Sequence, residues 1–248
     1  MNQSKIGYIN KIETFATVDG PGIRTLFFLS GCPLRCLYCH NPETWQQESG
    51  LQMDTTKLLT LVKRYKPYYG ETGGVTFSGG EPLMQAGYLA EALKVLKEAN
   101  INTCLDTSGY SRSPLLPEIL SHTDLVIYDV KAANPELYKK ITGQDMQVTI
   151  DFLKLAQSHK VKLWIRQVIV PGLNDNEVNI EETAKLIADL DFVEKIELLP
   201  YHTLGTTKYK KLDLKYPLEG VEAMNSDRLK ELSNLLFKKI EHYKQKIL

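Results

Sequence analysis

Six short runs of β-branched, aromatic and aliphatic residues, each closed by breakers, alternate with amphipathic helical stretches, and that alternation leaves few folds open. The runs are Arg24–Ser30 (RTLFFLS), Gly74–Phe77 (GVTF), Asn102–Leu105 (NTCL), Asp124–Tyr128 (DLVIY), Lys162–Val170 (KLWIRQVIV) and Lys195–Leu199 (KIELL). Near-continuous apolar runs of this length read as strands buried on both faces. Between them, Tyr88–Ala99 places Leu89, Leu93 and Leu96 on one helical face, and Val148–His159 does so with Phe152 and Leu155. Glu177–Leu190 aligns Ile180, Ala184 and Ile187, and Asp227–Tyr243 aligns Leu229, Leu232, Leu236 and Ile240. Strand and helix in alternation predict a parallel sheet covered by helices, an α/β fold. The stretch Thr203–Val221 shows neither period and reads as loop. With no low-complexity linker, residues 1–248 read as a single domain. A closed eight-unit barrel takes about 250 residues. Six units in 248 residues therefore predict a partial, laterally open (β/α)6 barrel, with a doubly wound sheet as the alternative.

Both architectures bind ligands at the carboxyl ends of their strands. The first run ends in the cysteines of GCPLRCLYCHN, and the second in Ser78-Gly79-Gly80-Glu81-Pro82. The third gives Asp106-Thr107-Ser108-Gly109 and the fourth Asp129-Val130-Lys131. The fifth carries Arg166 and ends in Pro171-Gly172, and the sixth runs into Pro200-Tyr201-His202. Any one of these is explained by the turn habits of Gly and Asp. Six at one rim read as a site.

Cys32, Cys36 and Cys39 are three of only four cysteines. The opening MNQSKIGYIN lacks the apolar core of a signal peptide, and no apolar run reaches membrane-spanning length. Bunched cysteines in that setting read as metal or redox chemistry in the cytoplasm rather than as disulfides. Lysine plus arginine number 30 against 30 acidic residues, which argues against a nucleic-acid partner. A structural zinc site closes with four ligands. The fourth would be His40, awkwardly adjacent to Cys39, or Cys104, which sits inside an apolar run as a buried thiol does. Three thiolates on a 4Fe–4S cluster leave one iron open to a substrate. The spacing favours the cluster, and a non-enzymatic zinc or electron-transfer protein is the alternative.

The motif Cys32-x-x-x-Cys36-x-x-Cys39 resembles that of the radical S-adenosylmethionine superfamily, and Ser78–Pro82 resembles its GGE motif. The resemblance implies an open six-unit barrel, a 4Fe–4S cluster and reductive cleavage of S-adenosylmethionine to methionine and a 5′-deoxyadenosyl radical. Val18-Asp19-Gly20-Pro21-Gly22-Ile23-Arg24, followed by Phe28, Gly31 and Asn41, is similar to the signature of enzymes that activate glycyl radical proteins. Thr103–Gly109 (TCLDTSG), Trp164–Gly172 (WIRQVIVPG) and Lys195–His202 (KIELLPYH) resemble the same group. The likeness covers nearly all the chain except Thr203–Val221 and the tail. Many members carry an inserted cysteine-rich, ferredoxin-like domain. Cys39 to Gly79 holds none, which favours the branch acting on pyruvate formate-lyase. The activase of anaerobic ribonucleotide reductase is the alternative.

Residue by residue, the resemblance implies that Cys32, Cys36 and Cys39 hold the catalytic cluster. Tyr38, Cys39 and His40 would line the adenine, and Gly80 the methionyl end. Asp129, Val130, Lys131 and His202 would complete the S-adenosylmethionine site. Asp106, Thr107 and Asp129 would hold a monovalent cation. Asp19 and Arg24, in the turn before the first strand, and Arg166 are expected in substrate docking, with a purely salt-bridged Arg166 as the alternative. The implied partners are the glycyl-radical loop of pyruvate formate-lyase and a flavodoxin- or ferredoxin-type electron donor, with neither nucleic acid nor membrane. His122, His159 and His242 read as solvated, Tyr65, Tyr68 and Tyr69 as packing, and Lys208–Lys215 as a solvated run able to touch a protein partner.

Overall fold

The computed structural model describes residues 6–247, so the first five residues of the opening stretch lie outside it. In chain order the elements are β1 (Ile6–Ala16), β2 (Arg24–Leu29), β3 (Leu51–Asp54), α1 (Thr55–Tyr65), β4 (Gly74–Gly79), α2 (Ala86–Glu98), β5 (Asn102–Thr107) and α3 (Leu116–Ser121). There follow β6 (Leu125–Asp129), α4 (Pro135–Thr142), α5 (Gln147–Ser158), β7 (Lys162–Ile169), α6 (Glu177–Ala188), β8 (Val193–Pro200), α7 (Thr206–Lys211) and α8 (Ser226–Ile247). They fall into two compact units, each drawn from three chain segments.

The first unit comprises Met1–Pro33, Asn41–Tyr128 and Val148–Leu163. Its strands run β3-β1-β2-β4-β5-β6. The ladders from β2 through β4 and β5 to β6 are parallel, and β1 pairs antiparallel with both β2 and β3. Every residue of β2 but Phe28 is buried, as are Gly74–Ser78 of β4, because helices cover the sheet. Phe27 and Phe77 are register partners and stack with centroids 5.6 Å apart. Against this layer α2 buries Tyr88, Leu89, Ala92, Leu93 and Leu96. Asp54 caps α1, its side chain accepting from Lys57 N at 2.8 Å.

The second unit comprises Leu34–His40, Asp129–Gln147 and Trp164–Leu248. Here β7 and β8 are neighbours, α6 packs on α8, and α8 reaches β8. Leu232, Leu236 and Ile240 of the α8 stripe are buried, and Ile180, Ala184 and Ile187 of α6 match them. Asn134 caps α4, accepting from Glu136 N and Leu137 N, and Gly143 ends it at φ 76°.

All six expected strands form, as β2, β4, β5, β6, β7 and β8, and the sheet is not closed into a barrel. The open α/β architecture expected from the sequence is the one observed. Thr203–Val221 departs from expectation: it holds a 3-10 turn at Thr203–Gly205 and then α7. The sequence hides α7 because only Tyr209 within it is buried, leaving no apolar stripe to read. No helix among the described residues is long and apolar enough to cross a membrane.

Candidate active site

In the first unit the parallel register sets Leu29 beside Gly79, which brings the start of the cysteine loop to the GGE motif. Gly80 N donates to Leu29 O and Glu81 N to Gly31 O, both at 2.9 Å. Gly79 has φ 113°, and a Cβ there would stand 2.4 Å from Leu29 N. At Gly80 it would stand 2.4 Å from Gly31 O. The approach of the two strand ends requires both glycines. Cys32 is held from the other side, its N donating to Trp45 O at 3.4 Å.

Glu81 is buried at the centre of this junction. Its carboxylate accepts from Thr107 Oγ1 at 2.5 Å, Ser108 Oγ at 2.6 Å, Ser108 N at 3.0 Å and Leu83 N at 3.1 Å. Burial raises its pKa above the ordinary carboxylate value, and the bonds from Ser108 and Thr107 oppose that rise. The Thr107 hydroxyl also accepts from Gly109 N at 2.9 Å. Asp106 accepts from Ser78 Oγ at 2.5 Å. The two expected cation ligands at the end of β5 are thus each engaged already, Asp106 by Ser78 and Thr107 by Glu81.

The expected docking turn lies in the same unit. Arg24 is fully buried. Its guanidinium donates to Thr76 Oγ1 at 2.7 Å, Val75 O at 2.8 Å, Asn102 Oδ1 at 2.9 Å and Pro21 O at 3.1 Å. Thr76 Oγ1 in turn donates to Asp19 O at 2.6 Å. Arg24 therefore fastens the Asp19–Arg24 turn from beneath, while Asp19 is half-buried and Val18 is 70% exposed. Cys104 is wholly buried within β5.

The second unit holds the other half of the cysteine loop. Arg35 N donates to Thr142 O at 2.9 Å and Leu37 N to Ile141 O at 3.0 Å, which pins the loop to the end of α4. Cys39 N closes a turn on Cys36 O at 3.0 Å. Burial pushes the Cys36 thiol up to about 12, with Lys131 pulling the other way. Lys131 Nζ lies 2.6 Å from Asp129 Oδ2 and 5.9 Å from the centre of the Tyr38 ring. Burial opposes its charge, but Asp129, Cys36 and Tyr38 outweigh that and hold its pKa well above the usual lysine value. Val130 is buried, and its N donates to Arg166 O at 2.7 Å, tying the Asp129–Lys131 segment to β7. Arg166 Nε pairs with Glu197 Oε2 at 3.1 Å. Against burial, Lys195 and Arg166 keep the Glu197 carboxyl below its ordinary value.

His40 and His202 stack with centroids 4.2 Å apart, and His40 Nε2 lies 3.2 Å from His202 O. Burial and His202 depress the His40 pKa, so its ring is neutral near pH 7. Two buried polar atoms in this group, Tyr38 Oη and His202 Nδ1, have no hydrogen-bond partner among the described residues. Buried polar atoms are costly to leave unmatched, so this side of the loop suits a polar ligand.

The chemistry of the residues present suits a thiolate-held cluster and a nucleoside ligand: Cys36 and Cys39 share one turn beside Lys131, and the Tyr38 hydroxyl and His202 Nδ1 have no partner among the described residues. Sequence reasoning missed three contributors. Ser108 shows only as a turn residue, and Glu81 shows only as a motif letter. Gly205 packs on His40, where a Cβ would stand 3.1 Å from Cδ2, and nothing in the sequence signals it.

Residues 26–187 match the radical SAM superfamily model. The chain is 48% identical over 237 residues to the pyruvate formate-lyase-activating enzyme of Clostridium pasteurianum, covering 95% of this chain and 99% of that one. It is 38% identical over 248 residues to the pyruvate formate-lyase 1-activating enzyme of Escherichia coli, covering 99% of each. Among solved structures, a radical SAM methyltransferase from Sphaerobacter thermophilus superposes with TM-score 0.62 at 17% identity, over 87% of this chain and 64% of that one. At that identity the likeness is one of fold. The chain belongs to the radical S-adenosylmethionine superfamily and, within it, to the family of pyruvate formate-lyase-activating enzymes.

Proposed function

We propose that this chain generates a glycyl radical on pyruvate formate-lyase, acting as a single radical S-adenosylmethionine domain in the cytoplasm. When bound at Cys32, Cys36 and Cys39, a 4Fe–4S cluster supplies the electron that splits S-adenosylmethionine into methionine and the 5′-deoxyadenosyl radical that takes hydrogen from the partner's glycine. The observation that carries the assignment of roles is the grouping of Asp129, Lys131, Tyr38, His40 and His202 around the half of the loop that bears Cys36 and Cys39. S-adenosylmethionine carries an ammonium, a carboxylate and a flat adenine. The Lys131 ammonium suits the carboxylate, Asp129 offers the opposite charge, and the Tyr38 hydroxyl and His202 Nδ1 supply unmatched polar atoms for the nucleoside. The neutral His40 ring gives the adenine a surface without competing charge. Gly80 admits the methionyl end to its backbone. Asp106, Thr107 and Asp129 hold a monovalent cation in this reading, and Asp19, with Arg166, receives the substrate loop. A flavodoxin- or ferredoxin-type protein supplies the electron.

The test is to incubate anaerobically reconstituted protein with S-adenosylmethionine, a reductant and pyruvate formate-lyase, reading the glycyl radical by electron paramagnetic resonance. A radical on the partner, formed with stoichiometric 5′-deoxyadenosine, is the expected result. Nucleoside release without a partner radical would point to another glycyl radical protein, such as the anaerobic ribonucleotide reductase.

A further inference from the structure

The segment read as featureless in the sequence lies against the cysteine loop. A Cβ on Gly205 would stand 3.2 Å from His40 Cα and 3.5 Å from Cys39 O, so the backbone there touches the loop directly. Around Gly205 the surface changes character. Leu204 is 78% exposed, Leu212 42% and Leu214 40%. Between Leu204 and Lys215 stand Lys208, Lys210, Lys211 and Lys215, with Asp213 as the one acid, in a chain whose acidic and basic residues balance overall. Single exposed leucines are ordinary. Three in eleven residues, set among four lysines, give this segment exposed apolar and positive groups together. That is the composition of a short-lived electrostatically steered interface. Beside it opens a pocket of about 350 Å³ lined by Thr206, Tyr209, Leu214, Tyr216 and Val221.

We propose that the face Leu204–Lys215 is the docking surface for a small acidic one-electron carrier protein. The proposal rests on Cys39 being a cluster ligand. One electron leaves the carrier's reduced centre and one enters the oxidised cluster. No bond forms or breaks, and no proton moves. Electron transfer through protein falls off steeply with distance, and the Gly205 backbone packs directly on His40 and Cys39. A partner that gives up a hydrogen atom must reach the ligand itself. An electron carrier needs only nearness and a complementary charge, and this face offers both.

The test uses oxidised flavodoxin as the probe and the anaerobically reconstituted protein, with affinity measured by calorimetry at low and high salt. Wild-type affinity should fall with salt. The triple variant Lys210→Glu, Lys211→Glu, Lys215→Glu, all at exposed positions, should bind flavodoxin about tenfold more weakly or worse at low salt. Its cluster signal after dithionite reduction and its dithionite-driven cleavage of S-adenosylmethionine should match the wild type. Leu204→Ser probes the exposed apolar groups with no charge change and guards against misfolding of the triple variant. It too should weaken flavodoxin binding. Unchanged flavodoxin affinity in both variants overturns the proposal. So does a loss of affinity for pyruvate formate-lyase with flavodoxin binding intact, which would assign the face to the substrate. Failure of wild-type protein to cleave S-adenosylmethionine with dithionite would instead sink the functional reading, and the binding arm would still decide the docking question.

Discussion

The polar groups around Glu81 and those around Lys131 meet burial in opposite ways. In the first unit, Glu81 accepts four hydrogen bonds from Thr107, Ser108 and Leu83, and Arg24 spends its guanidinium on Thr76, Val75, Asn102 and Pro21. Both charged groups are satisfied by the fold. In the second unit, Tyr38 Oη and His202 Nδ1 are buried without a partner among the described residues, and Lys131 and Asp129 pair across two residues of one chain segment. A network that closes on itself holds the strand ends in register. A cluster of polar groups that does not close is matched only when a ligand arrives. The unmatched group is the one we propose receives the ligand, and the matched one holds the strand ends.

Five substitutions can break or sharpen that contrast. The largest effect belongs to the metal. Cys36→Ala should abolish retention of iron and sulfide by anaerobic protein, while Cys104→Ala, in the interior of β5, should keep both at the wild-type level. Iron analysis with the visible charge-transfer absorbance decides it, and loss of iron from the Cys104 variant would undo the three-cysteine assignment. Next comes Glu81→Ala. It strands the Thr107 and Ser108 donors and should cost about 3 kcal/mol in a denaturant titration. A cost near zero would mean the network is not what holds the strand ends.

Lys131→Ala should act on binding instead. Affinity for S-adenosylmethionine should weaken by about 1.5–3 kcal/mol as a charged hydrogen bond is lost, with little change in melting temperature. A large drop in stability at unchanged affinity would move Lys131 to the self-satisfied side. The smallest effect is the most diagnostic in sign. Tyr38→Phe removes a buried hydroxyl that lacks a partner among the described residues, so stability should hold or rise by up to about 1 kcal/mol, while ligand affinity falls by about 1 kcal/mol. Destabilisation by this variant would show that the hydroxyl has a protein partner after all.

Of the six strands legible in the sequence, β2, β4, β5 and β6 are buried almost throughout, whereas β7 alternates and β8 has no buried position. The sequences of the buried four are apolar enough to stand out. β1 and β3 escaped because they are the antiparallel margin of the sheet: β1 alternates buried, half-buried and exposed positions, and β3 buries only Met53. α1 escaped for a similar reason, with only Leu58 and Val62 buried in eleven residues. At the site, the cysteine spacing and the glycine pair were legible because covalent chain geometry imposes them. Arg24 shows the limit. Its place in the DGPGIR signature suggests a surface role, and only the bonds to Thr76, Asn102 and Val75 reveal a buried brace for the turn.

By itself the sequence determined the α/β alternation, the six strands and the three-thiol spacing, since each follows from local periodicity or residue spacing. Tertiary structure decided which polar groups satisfy one another. Glu81 meets Thr107 and Ser108 from 26 and 27 residues away, and His40 stacks on His202 across 162 residues. No local pattern encodes such pairs. They exist because strand register and helix packing bring distant carboxyl ends together, where burial makes every polar atom either find a partner or wait for a ligand.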